Sequence, residues 1–221
     1  MSTLSNVETH QDPCIKLRLD AIPEAKNEAT GVSVRYVPEP TKRWYVFRAS
    51  YGREDLASEH IIADGTYAYI AKRQVRKIIN GNVRKATESL IPNLLFVYTT
   101  FEKAETYIKS TPKLHFLSYY LDHFTEDSNH KNPPLTVPSH EMENFILATQ
   151  SGSEHIMVVS PNQCHFKSGE TVLITNGAFK GVEGRVARVA GQQRVVVHLT
   201  NIGFVSTAYI PTAFIQKLDN Q

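Results

Sequence analysis

A cluster of basic residues surrounds a turn signal in the first half of the chain. Six Lys and Arg residues and no acidic residue lie between Asp64 and Glu88. The segment Asn80-Gly81-Asn82 predicts a hairpin turn within this stretch, because Asn and Gly tolerate positive φ. Lys and Arg on a hairpin can contact phosphates, which gives salt-dependent affinity for nucleic acid without sequence choice. A solvated surface ribbon explains the same pattern, and the residues alone do not decide between the two. The six bases are Lys72, Arg73, Arg76, Lys77, Arg84 and Lys85.

Other residues that could take part in catalysis, metal binding or phosphate binding lack the spacing that these functions need. Two cysteines are too few for a four-cysteine zinc site, and Cys164-His165 has no further ligands at metal spacing. The pattern Gly177-x-x-x-Gly181-x-x-Gly184 is not followed by Lys-Ser or Lys-Thr and does not begin a helix, so it is not a phosphate loop. We therefore expect a protein that is not an enzyme and that has no cofactor and no metal.

Length and composition indicate a soluble globular protein of one or two domains. The chain has 221 residues, is 41% hydrophobic and has a formal net charge of +2. It contains no apolar stretch long enough to span a membrane, and its first thirty residues lack the features of a secretory signal. These features, with only two cysteines, favour a cytoplasmic protein that does not associate with a membrane.

The first 150 residues divide into a tail and a domain of alternating elements. Residues 1–41 show no sustained period and are predicted to be a flexible tail, although alternating Ile15, Leu17 and Leu19 leave open a short strand or partner-binding motif. Residues 42–150 show the order strand, helix, strand, hairpin, strand, helix, strand, helix. This order predicts an antiparallel sheet with helices on one face, which is an α+β domain.

The composition and periodicity of the sequence change again near its carboxyl end. Residues 151–167 are predicted to be a linker with a possible strand at 156–159, because Gly, Ser and Pro flank one short apolar run. Residues 168–221 contain short alternating strands separated by Asn-Gly and Gly turns. Four or five strands in about fifty residues predict a small barrel, because closure removes exposed edges.

Both domains carry a resemblance to known families. Residues 169–186 resemble a KOW motif, since they combine an alternating strand, a glycine turn, and a Phe that can plug a small SH3-like β-barrel. Upstream, the Trp44-Tyr45 strand, the hairpin and residues 89–97 resemble the amino-terminal (NGN) domain of the NusG family of transcription elongation factors. The resemblance assigns structural roles in the KOW motif to Gly177, Phe179, Gly181 and Gly184.

Within this family the chain most resembles the UpxY group of Bacteroidales, which acts on capsular polysaccharide operons. The residues that suggest this are Val137-Pro138, the run Phe166-Lys167-Ser168-Gly169-Glu170, and Ala208-Tyr209-Ile210-Pro211. The sequence departs from the family where Asn93 stands in place of a usual Gly and Leu94 in place of a usual aromatic residue.

The resemblance also implies where partners bind. Family members bind the clamp helices of RNA polymerase through an apolar patch, whose matching positions here are Trp44, Tyr45, Leu90, Ile91, Pro92 and Leu94. Each of these residues taken singly is expected to be core rather than interface, because strand residues alternate between faces, and Leu90, Ile91 and Pro92 are the preferred contact residues.

The implied function is transcription antitermination in long operons. Binding to RNA polymerase would suppress pausing and termination, the basic hairpin would contact nucleic acid of the elongation complex, and the KOW domain would recruit a ribosomal protein, a termination factor or RNA. A stand-alone RNA-binding or ribosome-associated KOW protein is the alternative.

Overall fold

A computed structural model describes residues 18–79, 81–126 and 130–218. Within these ranges the chain folds into strands that pair only in antiparallel fashion, with α-helices packed against them. The predicted α+β class with antiparallel sheets is thus confirmed. The α-helices are α1 Glu54–Ala63, α2 Phe101–Glu105 and α3 Ser139–Thr149. The strands are β1 Ala25–Asn27, β2 Val32–Val34, β3 Arg43–Ala49, β4 Tyr67–Tyr69, β5 Lys72–Ile79, β6 Asn82–Ser89, β7 Leu94–Thr99, β8 Leu117–Tyr119, β9 Thr136–Val137, β10 Met157–Val159, β11 His165–Ile174, β12 Glu183–Val189, β13 Gln192–Leu199, β14 Gly203–Tyr209 and β15 Ile215–Lys217.

The central sheet of the first domain has the order β4-β7-β3-β8, and β9 also pairs with β3. Helices cover both of its faces rather than the one face that the sequence predicted. On one face the ring of Phe96 packs 5.2 Å from Phe145 of α3, and on the other Tyr45 lies 6.4 Å from Phe101 of α2. Double coverage explains why four consecutive residues, 44–47, are all buried, since a strand covered on both faces needs no polar alternation.

The segment before the central sheet is part of the fold. Residues 18–41 were expected to belong to a flexible tail, but β1 and β2 form a hairpin, and Tyr36 is buried with its ring 5.3 Å from that of Trp44. The Tyr67 hydroxyl donates a 2.6 Å hydrogen bond to the carbonyl of Pro23. The apolar residues here are irregularly spaced, so the sequence gives no periodic signal for their burial. The rest of the predicted tail, residues 1–17, lies outside the described residues.

The carboxyl-terminal unit is a six-stranded sheet of order β10-β14-β13-β12-β11-β15. The predicted closed barrel is not found, because in the described part of the chain the terminal strands β10 and β15 do not pair with each other. The strand expected at 156–159 is β10, and it pairs with β14 instead of lying in a free linker. Closure depends on contacts between strands almost sixty residues apart, which local patterns do not report.

The four residues that the sequence predicted to shape a KOW motif lie in this sheet or in the turn before β12. Gly177 and Gly181 lie in the turn before β12 with φ values of 84° and 89°, and Phe179 between them is buried. A Cβ on Gly184 would lie 2.5 Å from the carbonyl oxygen of Val196, so only glycine lets β12 approach β13 this closely.

Helix α3 joins the two units through a shared core and buried polar contacts. Leu147 and Val195 belong to one cluster of buried residues. The Glu141 carboxylate accepts hydrogen bonds from the backbone N–H (2.7 Å) and hydroxyl (2.8 Å) of Thr200. The side-chain oxygen of Asn144 accepts a 2.8 Å bond from the N–H of Glu183. The carboxyl-terminal sheet therefore packs directly against the first domain.

Candidate functional site

The basic hairpin predicted from the sequence forms from β5 and β6, which pair with each other in a separate two-stranded sheet. Its register places Arg76 opposite Lys85 and Lys77 opposite Arg84. Like charges directly opposite each other destabilise a strand pair, so these two pairs lower the stability of the hairpin. A polyanion between or beside them would relieve that repulsion.

Acidic residues neutralise part of the hairpin's charge. The Glu88 carboxylate forms ion pairs with Arg73 at 3.0 Å and with Lys77 at 3.3 Å. The hydrogen bonds that Arg73 and, to a smaller extent, Lys77 donate to it lower the pKa of the Glu88 carboxyl. At the base of the hairpin Lys72 lies 2.7 Å from Asp55. All of these side chains are substantially exposed, so solvent and salt screen their attraction.

The remaining bases are Arg76, Arg84 and Lys85. Arg76 is paired with Glu154, which lies beyond α3 in the chain. Among the residues that the structure describes, Arg84 and Lys85 form no ion pair, and both are exposed. Because residues alternate along each strand, Lys85 lies on one face of the hairpin and Arg84 on the other. Both faces therefore present positive charge to solvent.

The predicted apolar contact patch is largely core. Trp44 is fully buried, and Tyr45, Leu90 and Leu94 are each less than a tenth exposed. These four side chains belong to the hydrophobic core, and covering them with a partner would bury little further surface. Only two of the six candidates reach solvent, namely Ile91, which is half-buried, and Pro92, which is exposed.

A residue that the sequence analysis did not select lies beside these two. Tyr51 is 92% exposed and has a positive φ of 62°, a backbone conformation that is unusual for an aromatic residue. Asn93 holds the two loops together, because its carbonyl accepts from the N–H of Ala49 at 2.8 Å and its side-chain oxygen accepts from the N–H of Gly52 at 2.9 Å. We call Tyr51, Ile91 and Pro92 the apolar edge.

The Asn93 position explains one departure from the family pattern. Its φ is 64°, a left-handed conformation that glycine adopts freely and that asparagine tolerates better than other residues. Asparagine can therefore replace the usual glycine while its side chain adds the bond to Gly52. An aromatic residue directly before a glycine, as in Tyr51-Gly52, is the sequence signal that would have drawn attention to this loop.

A comparison with protein-family models supports the resemblance that the sequence of the first domain shows. Residues 42–146 match the family model described as NusG, transcription termination factor nusG. A search of curated proteins finds no match. None of the helices in the described ranges has both the length and the apolar character to cross a membrane.

Proposed function

We propose that this chain, which matches the NusG family model over residues 42–146, is a transcription antitermination factor that binds RNA polymerase and suppresses pausing and termination. The family match is the observation that carries the proposal, and it supports a factor related to transcription elongation or termination. The factor would act in the cytoplasm by binding alone, with no catalysis, metal or cofactor.

The apolar edge is the proposed contact for the clamp helices of the polymerase. Its three residues lie on two loops that Asn93 joins, and each reaches solvent. Covering apolar surface of this kind gains about 25 cal/mol per Å², and an exposed aromatic residue beside aliphatic ones suits the side of an α-helix. If the edge binds the closed clamp more tightly than the open one, the difference in affinity shifts the polymerase away from the paused state.

The basic hairpin is the proposed contact for nucleic acid in the elongation complex. Lys72, Arg73 and the bases beyond them supply positive charge on both of its faces. The charges of Arg84 and Lys85, which no described acid neutralises, support this role more strongly than those of the paired bases. Phosphate contacts by these residues would strengthen binding without selecting a sequence.

The carboxyl-terminal sheet is the proposed site for a second partner, such as a ribosomal protein, a termination factor or RNA. The KOW-like turn at Gly177–Gly181 and the resemblance to the UpxY group support this assignment, and they support capsular polysaccharide operons as targets.

The test is terminator read-through by the host's own RNA polymerase in a purified system, on a template with a long operon leader. The parent protein should raise read-through, and Ile91→Glu should abolish the effect by placing a charge in the apolar edge. Val37→Glu is the control, because Val37 is another β-branched residue that reaches solvent, and it lies outside the edge. Retention of RNA or ribosomes without polymerase binding would instead support the RNA-binding alternative.

A further inference from the structure

We propose that a cavity between the first domain and the carboxyl-terminal sheet binds a small aliphatic carboxylate, with the hydrocarbon chain among aliphatic side chains and the carboxylate beside Lys180 and Arg18. The cavity shares no residue with the apolar edge or the basic hairpin. The inference is therefore independent of the proposed contacts with polymerase and nucleic acid.

The cavity lies where three segments of the chain meet. Its volume is about 470 Å³, within the range of about 300–1,000 Å³ that is typical of small-molecule sites. Arg18 and Ala21 line it from the segment before β1, Leu147 from α3, and Leu173 from the end of β11. A Cβ on Gly181 would lie 3.8 Å from Cδ1 of Leu147, so the turn before β12 passes close to the helix. A ligand in the cavity would therefore contact both units at once.

The apolar part of the cavity wall is aliphatic. It consists of Ala21, Leu147, Leu173 and Ile174, and no aromatic side chain of the described residues lines the cavity. A planar ring gains most from stacking on another ring, which this wall does not offer. A hydrocarbon chain needs only apolar surface to cover, at a gain of about 25 cal/mol per Å². The wall therefore favours an aliphatic ligand over an aromatic one.

Arg18 in the cavity wall has one donor without an acceptor. Its side chain is only 10% exposed, and its Nε forms no hydrogen bond within the described part of the chain. An oxygen of Glu143 lies 3.7 Å from this atom, beyond hydrogen-bonding distance. Both Nη atoms are already bonded, Nη1 to Glu183 at 2.7 Å and Nη2 to the carbonyl of His140 at 3.3 Å. The guanidinium thus offers a single donor, which suits a carboxylate oxygen better than a phosphate that favours two-point contact.

The uncompensated charge at the cavity is positive. Lys180 is exposed and forms no ion pair with any residue that the structure describes. The acidic residue of the wall, Glu183, has both carboxylate oxygens engaged, one by Arg18 and the other by Nε2 of His140 at 2.9 Å. An ammonium group without a partner beside an aliphatic wall is complementary to a ligand with one negative charge and an apolar body. Both features together indicate an aliphatic monocarboxylate.

The test is isothermal titration calorimetry of the full chain with decanoate and with decanol, which has the same chain length but no charge. Decanoate should bind the parent at one site per chain. Lys180→Glu should weaken decanoate binding about fivefold and change decanol binding by less than about twofold, because only the contact with the charged group is lost. Ala21→Phe should weaken binding of both ligands by more than about tenfold, because its ring fills the space of the hydrocarbon chain.

Two matched controls change exposed residues outside the cavity, Lys113→Glu for the charge and Ala63→Phe for the ring, and both should bind like the parent. Circular dichroism would verify that all variants keep the parent fold. Absence of one-to-one decanoate binding, or parent-like binding by Ala21→Phe, would overturn the inference.

The other outcomes separate the charge from the occupant. An equal loss of decanoate and decanol affinity in Lys180→Glu would overturn the choice of an anionic ligand. The residues before Arg18 include the apolar Ile15 and Leu17. A rise in decanoate affinity in Ile15→Ser with Leu17→Ser would show that the chain's own segment competes for the cavity, which would overturn the choice of a small molecule as its occupant.

Discussion

Arg76 of the basic hairpin forms a two-point ion pair with Glu154, with Nε 3.1 Å from Oε2 and Nη2 3.0 Å from Oε1. Glu154 belongs to the segment that leads from α3 into the carboxyl-terminal sheet. The next residue, His155, accepts a 2.9 Å hydrogen bond from Arg194 in β13 through its carbonyl, and Ile156 is fully buried. The segment predicted to be a free linker is therefore fixed to the hairpin at one end and to the sheet at the other.

The Glu154 carboxylate occupies the two guanidinium donors that a phosphate would use. We expect Glu154→Gln to raise affinity for single-stranded DNA severalfold at low salt, since it frees Arg76 and removes a negative charge next to it. The measurement is anisotropy at several salt concentrations, and the gain should shrink as salt rises. Glu126→Gln is the matched control, because it removes an exposed acid elsewhere. An equal gain in the control would show that only net charge matters.

Charge reversal on the hairpin should weaken action on elongation complexes and leave the fold intact. In Arg76→Glu with Lys77→Glu, two of the proposed phosphate contacts are replaced by repulsion, while the side chains concerned are exposed and support no core. Read-through and polymerase pausing assays at moderate salt give the activity, and circular dichroism gives the fold. Unchanged activity at moderate salt would count against nucleic-acid contact by the hairpin.

Tyr51 has a left-handed backbone conformation that costs a residue with a Cβ about 1 kcal/mol. We expect Tyr51→Asn to keep or slightly raise the free energy of unfolding, because asparagine tolerates this conformation, and at the same time to weaken retention of RNA polymerase. Urea denaturation and pull-down measure the two effects. Tyr209→Asn serves as the control, since Tyr209 is also exposed but lies in β14. If polymerase retention is unaffected by Tyr51→Asn, Tyr51 does not belong to the contact surface.

Gly184 and Gly31 are glycine for two different reasons, a close approach of another strand at Gly184 and a positive φ at Gly31. Gly184→Ala would place a Cβ against the Val196 backbone, which cannot move without breaking the β12–β13 pairing, so we expect a loss of about 2–3 kcal/mol in the free energy of unfolding. A Cβ on Gly31 would meet no atom within 4 Å, and its φ of 70° alone should cost about 1 kcal/mol. Urea titrations of both variants test the order, and equal losses would contradict the close-approach argument.

The sequence predicted features that depend on local chemistry. The Asn80-Gly81 turn and the bases around it indicated the hairpin, and the run at residues 44–47 indicated a buried strand. The sequence could not tell Leu90 and Leu94, which are core, from Ile91 and Pro92, which reach solvent, because all four are apolar and neighbours in the chain. That difference arises from which elements cover each side of the sheet, and no local period records it.

The structure of the amino-terminal segment and of the carboxyl-terminal sheet also depends on tertiary contacts. The burial of Tyr36 depends on rings that come from β3, β4 and β7, far along the chain. Whether the last sheet closes depends on β10 meeting β15, and its packing against the first domain depends on α3. Short alternating strands indicated that this unit is β, but they carry no information about what it packs against.

Glu183 makes the contact between the two units sensitive to acid. His140 Nε2 lies 2.9 Å from one of its carboxylate oxygens, and Arg18 Nη1 lies 2.7 Å from the other. The hydrogen bond from His140, followed by the attraction of Arg18, lowers the pKa of the Glu183 carboxyl, which is only slightly exposed. A lowered folded-state pKa means that the ionised carboxylate stabilises the folded protein above the unfolded-state pKa of about 4.3.

That stabilisation is lost as pH falls from the unfolded-state pKa through the lower pKa of the folded protein. We expect Glu183→Gln to lose about 1–3 kcal/mol of unfolding free energy at pH 7, where the parent carboxylate is charged and hydrogen-bonded to both His140 and Arg18. The variant should also lose less stability than the parent between pH 5 and pH 3. Urea denaturation across this range measures both effects, with Glu126→Gln as an exposed control. Parallel pH profiles for the parent and Glu183→Gln would show that this carboxylate does not hold the carboxyl-terminal sheet against α3.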